Sequence, residues 1–312
     1  MELLYPTVFE LIVAVTATLV TNVLALLYLR RTRIERPPIG TFNGRDIVVL
    51  SCFLVTLPLL YVVLPQWALT GFLVLTFTSA LSIGYRPLVS GGRLWLGIGL
   101  LLGLNIWMTR TLLGTVLGWQ IYWVENSIIV VLGAVAVANL YVQGGMRLKH
   151  VASFALGLAA YDIIFTLKWP ITNKLAERFL GFPLDPSVAF RMGVYNASIG
   201  IGDLLVYALF VIAAYKAYGR VASSIAMALT AVFGAAVPAL APLATQAFLD
   251  ARTDLIVPAQ SAFGPVAFLC YLWMRHRWGP ERTMRQFLES TEPQTAAEPA
   301  STPVAIPEPA TA

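Results

Sequence analysis

The sequence predicts an all-α polytopic membrane protein with nine transmembrane helices. Three observations predict it. The chain is 58% hydrophobic and only 12% charged, roughly half the charged share of a soluble domain. Its mean hydropathy is +0.75. Its apolar residues fall in runs of about 20, the length that crosses a bilayer as a helix. Helices satisfy every backbone polar group within one segment, as lipid requires. A large soluble helical core is the bland alternative, and the scarcity of charge counts against it.

The first run, 7–29, ends at Arg30 and Arg31. It is too long for a signal peptide, its basic flank follows rather than precedes it, and no small-residue cleavage site is evident; it reads as the first span. Spans two and three, 47–65 and 67–84, are parted only by the short turn Pro65-Gln66-Trp67. The fourth is 94–113. After it, "LLGTVLGWQIYWVE" either prolongs that helix or forms a re-entrant or interfacial stretch. The fifth is 127–145 and the sixth 151–170. Residues 171–193 form a sizeable loop whose first part has apolar spacing suited to a membrane interface. "PLDPS" within it signals a turn. Spans seven, eight and nine are 196–215, 221–249 and 255–274. The organisation is therefore residues 1–150 with five spans, 151–278 with four, and a tail, 279–312. This tail, whose last stretch is rich in Pro, Ala and Thr and cannot build a core, reads as a disordered cytoplasmic segment over 279–312.

The net charge of +5 does not point to nucleic acid, because the charges cluster in short loops between apolar runs. With the N-terminus outside, only Arg110, Lys168, Lys174, Arg178, Arg191 and Arg252 lie on the outer side, leaving 15 of the 21 Lys and Arg inside. That excess favours an outside N-terminus, a cytoplasmic C-terminus and an odd number of spans. Compact loops without targeting signals suggest a prokaryotic cell membrane. Cys52 and Cys270 lie in apolar runs and read as small hydrophobes. His150 and His276 sit beside Lys or Arg at helix ends and read as interfacial bases.

Two acids, Asp162 and Asp203, lie well inside spans. Each costs about 3 kcal/mol or more at such depth, so intramembrane acids are functional candidates by default. Glu10, near the start of the first span, can reach the outer interface. The sixth span rises from the inner face and the seventh descends to it, placing both carboxyls roughly 17 Å from that face at 1.5 Å per residue. If they face each other, they cannot easily both ionise, and the pair titrates as a unit. One carboxylate can then take a proton from water while the other carboxyl donates to a carbonyl oxygen. A pair that merely holds two helices together is the bland reading, and asparagine would do that without the ionisation penalty. Gly200 and Gly202 permit close backbone approach and loosen the helix before Asp203. Ala159 lies one turn before Asp162 on the same face. Tyr207 and Thr166 share the faces of the two acids, as partners or as polar packing.

Tyr161-Asp162 in one span and Gly200-Ile201-Gly202-Asp203 in the next resemble the presenilin and signal peptide peptidase family of intramembrane aspartyl proteases, in an archaeal-type form. The family pattern is Tyr-Asp in the sixth span, Gly-x-Gly-Asp in the seventh and Pro-Ala-Leu at the start of the ninth, on nine spans with an outside N-terminus. The resemblance covers 151–275; the first half matches only in span number. Two segments compete for the third motif. Pro238-Ala239-Leu240 is the literal match but lies inside the eighth run, and starting a span there leaves too short an eighth helix. Pro258-Ala259-Gln260 opens the last run and is favoured, with Gln260 where the family has Leu and with Pro265 following.

The resemblance implies an intramembrane aspartyl endopeptidase with Asp162 and Asp203 catalytic. Tyr161, Gly200, Gly202, Pro258, Ala259 and Gln260 would form the motif and substrate-binding set. The substrate would be a transmembrane helix or remnant signal peptide within the lipid bilayer. No nucleic acid is implied, and a homo-oligomer is left open. No metal, nucleotide or flavin motif is present, so no cofactor is expected. Two other classes fit the acids: a proton- or cation-coupled transporter, which usually shows repeated halves absent here, and a catalytically idle scaffold that binds helices.

Overall fold

A computed structural model describes residues 4–34, 44–165, 178–179, 181–192, 195–249 and 258–290. In chain order the helices are α1 (Leu4–Arg31), α2 (Gly44–Val63), α3 (Gln66–Tyr85), α4 (Gly92–Thr111), α5 (Val116–Gln143) and α6 (Leu148–Ile163). A two-stranded antiparallel sheet follows, β1 (Ser187–Met192) and β2 (Tyr195–Gly200). Then come α7 (Ile201–Tyr218), α8 (Arg220–Leu229), a π-helical segment (Thr230–Ala236), α9 (Val237–Leu249), α10 (Ala259–Trp278) and α11 (Met284–Glu289). Among the described residues, six helical stretches are long and apolar enough to cross a membrane: Tyr5–Arg31, Gln66–Tyr85, Gly92–Thr111, Val116–Gln143, Ile201–Tyr218 and Arg220–Ala244. This is the build of a helical multi-pass membrane protein.

The centre of the bundle is α7. It is apolar on every side, and the run from Val206 to Ala214 is wholly buried, as expected of a helix with neighbours all round. Beside it α5 is drawn close to α3 by Gly84: a Cβ there would lie 2.5 Å from that of Ala136. Polar side chains tie the outer helices on. Asn139 Nδ2 of α5 donates to Ala25 O of α1 (3.2 Å), and Asn22 Nδ2 of α1 donates to Thr230 Oγ1 (2.9 Å).

Contacts sort the helix ends into two groups. At one end, Arg178 donates to the carbonyls of Val62 and Leu64. Gly181, at φ +70°, lies so close to Trp119 and Leu113 that no Cβ fits. At the other end, the Tyr28 hydroxyl donates to Gly84 O, Gln143 bonds both Thr32 O and Ile34 N, and Lys216 donates to Met146 O.

Three sequence expectations change. The expected fifth span began at 127, but α5 begins at Val116. Thr115 caps it, its hydroxyl accepting from Gly118 N (3.0 Å), so the ambiguous stretch belongs to α5 from Val116 onward and carries Glu125 into the bundle. The expected seventh span began at 196, but 195–200 is a strand, with Ala197 and Ile199 buried and Ser198 exposed in the alternation of a sheet. Of the expected tail, Gly279–Ser290 is ordered: Thr283 and Gln286 form a reciprocal capping box that starts α11. The remainder, 291–312, the outer part of the sixth span and most of the loop 171–193 up to residue 177 lie outside the described residues.

The hairpin is anchored at its base. Asn126 Nδ2 donates to Asp185 O (2.9 Å) and Ser187 O (3.0 Å), Leu184 N–H donates to Asn105 Oδ1 (2.7 Å), and the Tyr122 hydroxyl donates to Phe182 O (2.6 Å). Asn105 Nδ2 in turn donates to Glu125 Oε2 (2.6 Å). Burial in this network pushes the Asp185 carboxyl up to about 7, against the lowering effect of its hydrogen bonds to Ser187. Its folded-state proton affinity is therefore raised. The associated stability is fully present below the ordinary carboxylate range near 4 and is lost as pH rises through about 7. Thermal unfolding in detergent should show the wild type losing stability between pH 5 and pH 8. Asp185→Asn should flatten that dependence while still accepting from the Ser187 hydroxyl.

Candidate active site

The strand β2 delivers the chain directly into α7. Gly200 is the N-cap residue, extended at φ −69° and ψ 149°, with no side chain to cap the helix. Ile201 N–H instead donates to Pro186 O (2.8 Å), across the foot of the hairpin. Asp203 therefore stands in the first turn of α7, not mid-helix as the sequence suggested. A helix N-terminus accommodates an acid better than a helix interior does, because unpaired amides and the helix dipole face it. Gly200 and Gly202 accordingly flank a strand-to-helix junction and do not loosen a helix. A Cβ on Gly200 would lie 3.6 Å from Asp203 Oδ2, whereas one on Gly202 would meet nothing within 4 Å.

On α6, Asp162 lies in the last described α-helical turn, before Ile164 and Phe165 continue in π-helical form. It is brought to Asp203 by α10. Pro258 is extended (φ −63°, ψ 130°) and Ala259 starts the helix, a position where a proline's missing N–H costs nothing. The next residue, Gln260, is only 2% exposed. Its backbone N–H donates to Asp162 Oδ2 (3.3 Å), and its side-chain Nε2 donates to Asp203 Oδ1 (2.7 Å). One glutamine thus holds both carboxylates. Its remaining amide oxygen, Oε1, is buried without a partner.

The approach of α10 to α6 depends on Gly264. A Cβ there would sit 2.4 Å from Ala155 O and 2.8 Å from the Ala159 Cβ. Ala159, singled out for its place one turn before Asp162, is thus the small residue against which α10 packs.

Of the two Pro-Ala segments, Pro258-Ala259-Gln260 meets the acids. Pro238-Ala239-Leu240 lies within α9 and has a structural part. Pro238 has no N–H to give to the carbonyl four residues back, that of Gly234. The Tyr207 hydroxyl donates to this carbonyl instead (2.8 Å), at the π-helical segment. Tyr207 is fully buried and packs edge-on against Phe263, 4.9 Å between centroids. It therefore braces α7 against the π-helical segment and α10, and its hydroxyl bonds Gly234 rather than Asp203. Tyr161 stacks on Phe165 at 4.3 Å, and Thr166 lies outside the described residues. Among the described residues, no group of three His, Cys, Asp or Glu could hold a metal ion.

Sequence reasoning missed Glu125. It ends the stretch that the sequence leaves open between a prolonged fourth helix and a re-entrant or interfacial segment, yet it is 8% exposed within α5, and its Oε1 is buried without a partner. It also left Lys216 among the loop cations, although Lys216 is fully buried. The Thr115 cap was the available signal for the first; the second had none.

No family model matches the chain, and no curated protein matches it either.

Proposed function

We propose that the protein is an intramembrane aspartyl endopeptidase of the presenilin and signal peptide peptidase kind, cleaving transmembrane helices or remnant signal peptides. The observation that carries this reading is the convergence of Asp162 and Asp203 on Gln260. Helix gluing does not call for two acids sharing one amide residue, whereas acid–base hydrolysis does.

In the mechanism, one carboxylate takes a proton from a water molecule as its oxygen attacks the scissile carbonyl carbon. The other, protonated, carboxyl gives its proton to the carbonyl oxygen. The gem-diol then collapses: the C–N bond breaks, the proton taken from water passes to the leaving nitrogen, and one gem-diol hydroxyl returns its proton to the second carboxylate, leaving the product acid and the starting dyad. The two carboxyls act as one titrating unit throughout. A substrate helix must unwind to present its carbonyl, and its freed backbone groups need partners in lipid. Strand-like pairing beside the site supplies them, and the hairpin that ends at Gly200 lies next to the dyad.

The same reading takes the protein as nine-spanning, with α2, α6 and α10 as the spans beyond the six apolar stretches, the N-terminus outside and the C-terminus cytoplasmic. The two groups of helix ends support this. The ends of α2 and α4 and the segment 178–184 share one side; the ends of α1, α3 and α5 and the residues after α10 share the other.

A peptide mimic bearing a hydroxyl in place of the scissile carbonyl tests the reading. It should bind the purified protein and block cleavage of a labelled single-span substrate in vesicles. Vesicles that transport protons or cations but never cleave would replace this reading with the transporter.

A further inference from the structure

The inner ends of the two aspartate helices are held by one dipeptide. The Glu281 carboxylate accepts from Leu148 N–H (2.8 Å) and Lys149 N–H (3.1 Å) in the first turn of α6. From the next residue, the Arg282 guanidinium donates through Nε to Ala217 O (3.1 Å) and through Nη2 to Tyr215 O (3.3 Å), in the last turn of α7. The Arg282 N–H also donates to Ala217 O (3.4 Å). The acid meets the positive end of one helix and the base the negative end of the other, the favourable sign at both. The dipeptide is itself held. The Tyr218 hydroxyl donates to Gly279 O (3.1 Å), and the Phe287 ring packs on Tyr215 (5.8 Å) beneath the Arg282 guanidinium (5.9 Å). This segment leaves the end of α10, so residues 279–282 join the inner ends of the three helices that carry Asp162, Asp203 and Gln260.

The spacing gives the arrangement a consequence. Leu148 lies fourteen residues before Asp162, and Ala217 lies fourteen residues after Asp203. Both distances are about 21 Å of helix. In antiparallel helices, pinning Leu148 and Ala217 to adjacent residues brings the two acids to one level. A slip of one residue would part them by about 1.5 Å along the axis and turn one side chain by about 100°.

We propose that Glu281 and Arg282 are positioning residues that set the axial register of α6 against α7 and so align the carboxyls. The register claim stands on the contacts alone; its effect on cleavage rests on the aspartyl-protease reading. The register is read directly by spin labels at Leu156→Cys on α6 and Gly202→Cys on α7, where an added Cβ has open space, in a Cys52→Ser/Cys270→Ala background. With Glu281→Ala/Arg282→Ala, the label distance should shift or broaden by about 1.5 Å or more, one residue of rise. An unchanged distance distribution overturns the proposal, whatever the cleavage assay shows.

In that assay kcat should fall about 10- to 100-fold, the scale of an ångström-sized misplacement, with KM nearly unchanged. Affinity for the hydroxyl mimic should fall in parallel. Arg282→Lys, which keeps the charge, should restore part of the rate relative to Arg282→Ala. Wild-type turnover per folded molecule in the double variant overturns the catalytic half. If the double variant does not fold, Glu281→Gln and Arg282→Lys carry the same comparison, with smaller losses of the same kind expected. Failure of the underlying reading shows separately, as cleavage that survives Asp203→Asn.

Discussion

Asp203→Asn is expected to abolish cleavage of a labelled single-span substrate, and Asp162→Asn to do the same, with the fold intact. The argument for an intact fold is geometric. Each carboxylate accepts one hydrogen bond from Gln260, at 2.7 Å for Asp203 and 3.3 Å for Asp162. An asparagine Oδ1 accepts the same bond, so unfolding midpoints should stay within about 1 kcal/mol of wild type. The argument for lost chemistry is that an amide has no ionised form. It cannot take a proton from water, nor hand one to a carbonyl oxygen. Removing a positioned acid or base typically costs 10²- to 10⁴-fold, and here the partner carboxyl loses its counterpart as well. The rate should therefore fall by about 10³-fold or more, to the background of the assay. The check is initial rate per folded protein, with folding followed by thermal unfolding and by substrate capture without turnover. Wild-type turnover in either variant removes the dyad from the mechanism.

The parts of this site legible in the sequence are those where chemistry opposes the surroundings. An acid in an apolar run has few cheap explanations, so Asp162 and Asp203 stood out, and the equal rise of two antiparallel spans put them at one depth. Pro258-Ala259-Gln260 was favoured over Pro238-Ala239-Leu240 on helix length, and the structure sets Gln260 against both acids. What hid the hairpin was continuity. "YNASIG" runs without a break into the apolar "IGDLLVYALF", and period-2 alternation over six residues is drowned by the helix that follows. The consequence was that Asp203 read as mid-helix when it sits in the first turn.

The ordered segment after α10 was misread for a different reason. Its Thr283-x-x-Gln286 cap is a legible start signal, but the Pro- and Ala-rich stretch downstream dominated the composition of the whole tail. Glu281 and Arg282 carry no local signal. Their role exists only once the inner ends of α6 and α7 are side by side, a tertiary fact that charge counting recorded as one more inside arginine.

Gly264→Val should be the most damaging substitution outside the dyad. The glycine is where α10 lies on α6, and a Cβ there would approach Ala155 O to 2.4 Å and the Ala159 Cβ to 2.8 Å. The first of these is backbone, which cannot rotate away as a flexible side chain can. The second belongs to a residue only 3% exposed. Relief must therefore come from moving α10 outward by about an ångström, and valine's two further methyls enlarge the shift. Overpacking of this kind costs about 1–3 kcal/mol of stability.

The effect on cleavage should exceed the effect on stability, because Gln260 is one turn before Gly264 on the same helix. An outward step lengthens the 3.3 Å bond to Asp162, already the weaker of the two, and separates the groups that Gln260 holds together. A misplacement of an ångström costs about 10²-fold in a positioned reaction. Gly264→Ala should show the same signs at smaller size. Gly157→Ala, on α6 where an added Cβ meets nothing within 4 Å, should leave cleavage unchanged and gain up to about 1 kcal/mol of helix stability. The contrast between two glycines on facing helices separates backbone approach from helix propensity. If Gly264→Val cleaves as Gly157→Ala does, α10 does not set the spacing of the acids, and Gln260 holds them only in the resting protein.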